Sequence, residues 1–307
     1  MLSNITSPQR ALGTSDMHSP IFLIGTQRSG TTLLGRMLSA HPMVFIKNEV
    51  PVRQVFEPGA GRDRIQANID RFVRERFGQG INELLAAEGK SVWGLKDPEL
   101  TRYLDALEQF LPEARFIVIT RDPRAVVNSY MENKWGLGTN AYTGALRWKQ
   151  EVSRQLSFEA ALPGYVLRVR YEDLVLDQET HLRRICRFLE LPFEAEMMGY
   201  YQSKSFVSKN RENKNTFKAP DAALTTKWRR KLTPHQIRVI DSVVRPLLGE
   251  TGYDDESDPY CPPPWLVFWY RLHQRVLGEI QIQYQWRVRR WLRLIRRRYQ
   301  SARSASV

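Results

Sequence analysis

Residues 20–42 read PIFLIGTQRSGTTLLGRMLSAHP. Ile21, Phe22, Leu23 and Ile24 form a short apolar run, which predicts a buried strand. Gly25 opens a loop, and from Thr31 onward Leu33, Leu34, Met37 and Leu38 fall on one stripe of a helix. That helix stops before Pro42, because proline restricts the residue ahead of it. Strand, glycine loop and helix N-terminus together make an anion site. Loop amides and the positive end of the helix dipole converge on one point.

Gly25 and Gly30 have the G-x4-G spacing of a P-loop. A nucleotide triphosphatase follows its second glycine with lysine and then serine or threonine, to reach the outer phosphates and hold magnesium. Thr31 and Thr32 stand at those positions here, and the cation sits earlier, at Arg28. The stretch therefore predicts a phosphate site with Arg28 as its fixed charge and no magnesium clamp.

The run Arg28-Ser29-Gly30-Thr31-Thr32 resembles the 5′-phosphosulfate loop of sulfotransferases that use PAPS, 3′-phosphoadenosine 5′-phosphosulfate. Further motifs extend the resemblance over residues 20–253, closest in pattern to tyrosylprotein-type and bacterial members. It implies PAPS as co-substrate, PAP as product, no metal, and a P-loop-like parallel α/β sheet flanked by helices, the sulfotransferase fold. It also implies roles for individual residues. Arg28 stabilises the transferring group, and Lys96, in Lys96-Asp97-Pro98, neutralises charge on the bridging oxygen. Glu49 follows His41-Pro42 at the distance of the general base in tyrosylprotein-type members. The chain departs from that pattern with Asn48 before the glutamate and Arg53 displaced by two; the alternative for Glu49 is a surface carboxylate paired with Lys47 or Arg53. Arg121 and Ser129, in RDPRAVVNS, resemble the pair that holds the 3′-phosphate. Tyr171, Ser208 and Lys218 resemble further nucleotide contacts, with a one-residue gap between the last two.

Outside the motifs, periodicity predicts strands over residues 91–95, 115–120 and 165–169, helices over 99–111, 121–131, 142–161 and 178–190, and a loop over 43–61. Thr233-Pro234-His235-Gln236 is a capping box that starts a helix to about Leu248. Strands alternating with helices mean a parallel sheet covered on both faces, with ligands beyond the carboxyl ends of its strands. Gly25, Lys96, Arg121 and Tyr171 all fall there.

The 307 residues suffice for one large domain. Cys186 and Cys261 cannot form a disulfide framework or a zinc site, which fits a reducing, cytoplasmic setting; Cys186 reads as a small core residue. The organisation expected is a disordered leader over residues 1–19, a sulfotransferase domain over 20–258 and a basic, aromatic tail over 259–307. Residues 261–307 hold ten arginines against one acid, Glu279, and so carry +9 of the net +13. Trp265, Trp269, Leu272, Val276, Ile280, Tyr284, Val288, Trp291 and Ile295 recur there at helical spacing. Such a helix can lie on an anionic membrane as a peripheral anchor, dock on the body or pair with another chain; nucleic acid is a weaker fit.

The leading reading is a PAPS-dependent sulfotransferase acting on a hydroxyl of peptide tyrosine, carbohydrate, lipid or a small molecule. Its rivals are a P-loop kinase, against which the missing lysine at position 31 argues, and a non-enzymatic basic protein binding membranes or nucleic acid through the tail.

Overall fold

A computed structural model of the chain describes residues 20–202 and 217–288. Five apolar runs form strands: β1 (Ile21–Ile24), β2 (Val44–Asn48), β3 (Val92–Lys96), β4 (Arg115–Thr120) and β5 (Val166–Arg170). They pair in parallel in the order β2-β3-β1-β4-β5. Helix α1 (Thr31–Ser39) links β1 to β2, and α2 (Val52–Val55), α3 (Arg62–Phe77) and α4 (Ile81–Glu88) lead to β3. Helix α5 (Leu104–Glu108) leads to β4; α6 (Pro123–Asn133) and α7 (Ala141–Ala161) lead to β5. Beyond the sheet come α8 (Tyr171–Leu176), α9 (Gln178–Phe188), α10 (Trp228–Lys231), α11 (Pro234–Thr251) and α12 (Pro264–Gln283).

Successive side chains of a strand point to opposite faces, so each strand feeds two cores. Phe22, Ile24, Trp93, Leu95, Phe116 and Val118 pack beneath α2 to α5. Ile21, Leu23, Val44, Ile46, Ile117 and Ile119 pack against α1, α8 and α9, where Cys186 is a buried core residue as expected. A third cluster joins α6, α7, α10 and α11. The parallel α/β sheet flanked by helices is the fold class anticipated.

The residues 43–61 expected as a loop contain β2. Its VFIKN run makes five register pairs with β3, and Pro51, Pro58 and Gly59 lie beyond it. The helix expected over 99–111 breaks into a 3-10 turn, Leu100–Arg102, and α5. The capping box at Thr233 forms, and α11 runs on to a left-handed Gly252.

Helix α6 is fixed by a buried charge network. Asp122 caps it, accepting from the Arg124 N–H at 2.7 Å, and burial pushes that carboxyl up to about 6. Arg124, 1% exposed, donates through Nε to Asp241 of α11 at 2.8 Å and through Nη2 to the Asp254 carbonyl at 2.7 Å. Asp241 in turn accepts from the Glu256 N–H and the Ser257 hydroxyl, both at 3.0 Å. Removing one partner of a buried pair strands the other charge. Asp241→Ala is therefore expected to cost about 3–5 kcal/mol in urea unfolding, and Arg124→Met combined with Asp241→Leu to recover much of it. Equal losses in both variants would show that the charge is not what fixes α6.

Candidate active site at the carboxyl edge of the sheet

The loop after β1 is closed on itself. Ser29 donates to the Thr26 carbonyl through both its N–H (3.1 Å) and its hydroxyl (2.8 Å). Arg28 adopts φ 72° and Gly30 φ 106°, left-handed conformations that turn the chain into α1. A side chain at Gly30 would collide with the Tyr171 ring, and one at Gly25 would lie 2.7 Å from the Ile119 carbonyl. Helix α1 starts at Thr31 with no side-chain cap among the described residues and no acid in its first turn. Its leading amides are thus left to a ligand, in an undiluted positive field.

Beside the loop lies a cavity of about 230 Å3. Of the residues expected to bind nucleotide, Arg28, Gly30, Thr31, Thr32, Arg121, Ser129 and Tyr171 all line it. Ser29 does not: it is fully buried, and both its N–H and its hydroxyl are spent on the Thr26 carbonyl. The Ser129 hydroxyl accepts from Arg28 Nε and from Asn133 Nδ2, each at 3.0 Å. Both its lone pairs are taken, which leaves its proton to donate.

Arg121 holds the loop from the other side. It donates to the Arg28 carbonyl and to the Leu224 carbonyl, both at 3.1 Å, and lies over the Tyr171 ring at 4.2 Å. Its Nε is buried without a hydrogen-bond partner among the described residues. The guanidinium is thus partly committed to fixing the site and partly unsatisfied. Burial pushes the Tyr171 phenol up, which keeps the ring neutral beneath the cation.

Glu49 and Lys96 meet on the far side of β1. Strands β2 and β3 pair Asn48 with Lys96, and the Glu49 N–H extends that ladder to the Lys96 carbonyl at 2.8 Å. Glu49 then turns at φ 54°, a strained conformation for a side-chain-bearing residue, and its Oε1 accepts from Lys96 Nζ at 2.9 Å. Lys96 is 1% exposed and the Glu49 side chain 41%, so a buried cation holds a carboxylate that faces solvent. The partner of Glu49 is Lys96, not the Lys47 or Arg53 named as alternatives. Asp97 supports the turn by accepting from the Val50 and Glu99 N–H groups, and burial pushes its carboxyl up to about 6. Neither Glu49 nor Lys96 lines the cavity itself; along the sheet edge they sit two strands and one strand, respectively, from the β1 loop.

His41 is structural: its Nδ1 accepts from the Met43 N–H, so Nε2 donates to the Pro192 carbonyl. Lys218 is exposed and outside the cavity, although its carbonyl accepts from Tyr200, which lines it. Ser208 lies outside the described residues. Several lining residues had no motif to announce them. Lys227, paired with Glu132 at 2.8 Å, and Trp228 arrive from a segment without periodicity, but Asn133 was legible as the residue one turn beyond Ser129.

The family model described as "Sulfotransferase family" matches residues 20–195. Protein-tyrosine sulfotransferase 1 of Danio rerio is 28% identical over 272 residues, covering 80% of this chain and 76% of that protein. The human protein-tyrosine sulfotransferase 1 is 28% identical over 268 residues, covering 80% and 71%. In fold, the sulfotransferase domain of the Synechococcus PCC 7002 olefin synthase superposes with a TM-score of 0.56 at 22% identity, covering 76% of this chain and 98% of that one. The kinase and non-enzymatic readings fall away. A strand-bound loop that lacks the P-loop lysine, a second cation on the neighbouring strand and a match over more than half its length agree: this chain is a member of the sulfotransferase family.

Proposed function

We propose that the chain moves the sulfuryl group of PAPS to the hydroxyl of a peptide tyrosine, with Glu49 as general base. One observation carries this reading: the loop, Arg121 and the Lys96–Glu49 pair converge on one edge of one sheet. The residues fit the nucleotide. The uncapped α1, the unsatisfied Arg121 Nε and the Ser129 proton are all groups that an anion satisfies. In this reading the loop amides, Thr31, Thr32 and Arg28 hold the 5′-phosphosulfate, and Ser129 with Arg121 holds the 3′-phosphate. Tyr171 adds a contact to the nucleotide, whereas Lys218 lies outside the cavity.

PAPS supplies a sulfuryl group activated by its bond to phosphate. A new S–O bond forms to the acceptor oxygen as the S–O bond to the 5′-phosphate breaks. The acceptor proton goes to Glu49, whose Oε1 is held by Lys96 while Oε2 takes the proton. Lys96 and Arg28 offset the negative charge that collects on the departing phosphate oxygen. The peptide tyrosine is drawn from the relatives, which are named protein-tyrosine sulfotransferases, and it supersedes sugar, lipid and small-molecule hydroxyls as the first acceptor to test.

PAP is expected to raise the melting temperature, by the equivalent of about 2.7 kcal/mol at 100 times its Kd, and ATP with magnesium to do little. Equal shifts from the two ligands would exclude the PAPS assignment. Ser129→Ala is expected to weaken PAP roughly tenfold or more by calorimetry, since a hydrogen bond to a charged group is lost.

Glu49→Gln separates binding from chemistry. With labelled PAPS and a tyrosine peptide, turnover is expected to fall roughly 100-fold while PAP affinity changes little. Undiminished turnover would remove Glu49 from the mechanism.

A further inference from the structure

Helix α12 is mounted on the body by its polar face. Gln274, Gly278, Gln281 and Gln285 follow one another at steps of four, three and four residues, and so share one side. Gln274 donates to the Gly136 carbonyl and accepts from the Thr139 N–H, both at 2.8 Å. Gln281 accepts from the Gly136 N–H at 3.0 Å, and Asn140 donates to the Tyr270 carbonyl at 2.9 Å. The backbones nearly touch, for a side chain on Gly136 would lie 2.8 Å from the Gly278 carbonyl. Residues 134–140, which follow α6, are thereby clasped to the helix.

The apolar stripe consequently points away from the protein. Trp265 is 63% exposed, Phe268 61%, Trp269 58%, Ile280 57% and Val276 53%. An apolar face in contact with water is unfavourable unless something covers it, and the body cannot, because it already holds the opposite face. Arg271 and Arg275, both exposed, accompany the stripe, with Glu279 the one acid on the helix. Residues 261–307 as a whole carry +9.

We infer that α12 is a peripheral docking helix that lies in the surface of an anionic membrane and fixes the catalytic body to it. Indole rings favour the boundary between headgroups and acyl chains, aliphatic side chains enter below it, and arginines attract anionic lipid. Charge chooses this occupant over a second copy of the chain, which would bring two +9 segments together. It chooses it over nucleic acid as well, since phosphodiesters offer nothing to Val276, Ile280 and Phe268. Among the described residues no helix is long and apolar enough to cross a membrane. The inference does not depend on the acceptor or on Glu49.

The test uses the full chain and a variant with Trp265, Trp269, Val276 and Ile280 all changed to Gln, which keeps helix propensity and charge. Vesicles of mixed phosphatidylcholine and phosphatidylserine are the probe, with phosphatidylcholine vesicles and duplex DNA as comparisons. The unaltered chain is expected to co-sediment with the mixed vesicles, with a blue shift of tryptophan fluorescence. The variant is expected to bind them about tenfold or more weakly at an unchanged melting temperature. Four results would overturn the inference: no binding by the unaltered chain, a fall in melting temperature that puts the stripe against the body, a concentration-dependent dimer abolished by the variant, or DNA binding in place of vesicle binding.

Discussion

The turn from β1 into α1 passes through a gap with no room for side chains at its two ends. At Gly25 the chain crosses against the β4 backbone, and at Gly30 against the Tyr171 ring. A left-handed turn, at Arg28 and Gly30, is the way through into α1. The neighbouring residues then follow from holding that turn in place. Ser29 closes it from within, Arg121 pulls on the Arg28 carbonyl from β4, and Tyr171 closes the other side from the end of β5. The geometry of the loop is thus a property of three strand ends packed together.

Charge is arranged with the same economy. On one side of the loop Arg28, Arg121 and Lys227 surround the cavity, balanced in part by Glu132 and Asp221. On the other, Lys96 is buried and its charge is answered by Glu49, which the β2–β3 ladder delivers to it. A lysine held this way costs little only while its carboxylate stays close, so the strained turn at Glu49 persists. Along the sheet edge, β3 alone lies between the β1 loop and Glu49 at the end of β2.

Much of this was legible in the sequence because it is local. The strand–glycine loop–helix order around Gly25 and Gly30, the helix that follows β4 and the capping box at Thr233 each report on a few adjacent residues, and each element formed as read. What depended on distant contacts was not. Strand β2 was hidden by the prolines and glycine that follow it, because its partner, β3, lies more than forty residues on. The pairing of Glu49 with Lys96 rather than Lys47 or Arg53 needs the register of two parallel strands. Periodicity announced the α12 helix and its apolar stripe, but not that backbone groups of residues 134–140 would take the glutamines and leave the tryptophans outside. Lys227 and Trp228 reach the cavity by tertiary folding alone.

A crystal structure of the chain with PAP tests the central claim most directly. The 5′-phosphate is expected to accept hydrogen bonds from the amides between Arg28 and Thr32, and the 3′-phosphate from Ser129, with the Arg121 guanidinium beside it. A PAP molecule lodged elsewhere, or one whose phosphates avoid that loop, would contradict the account.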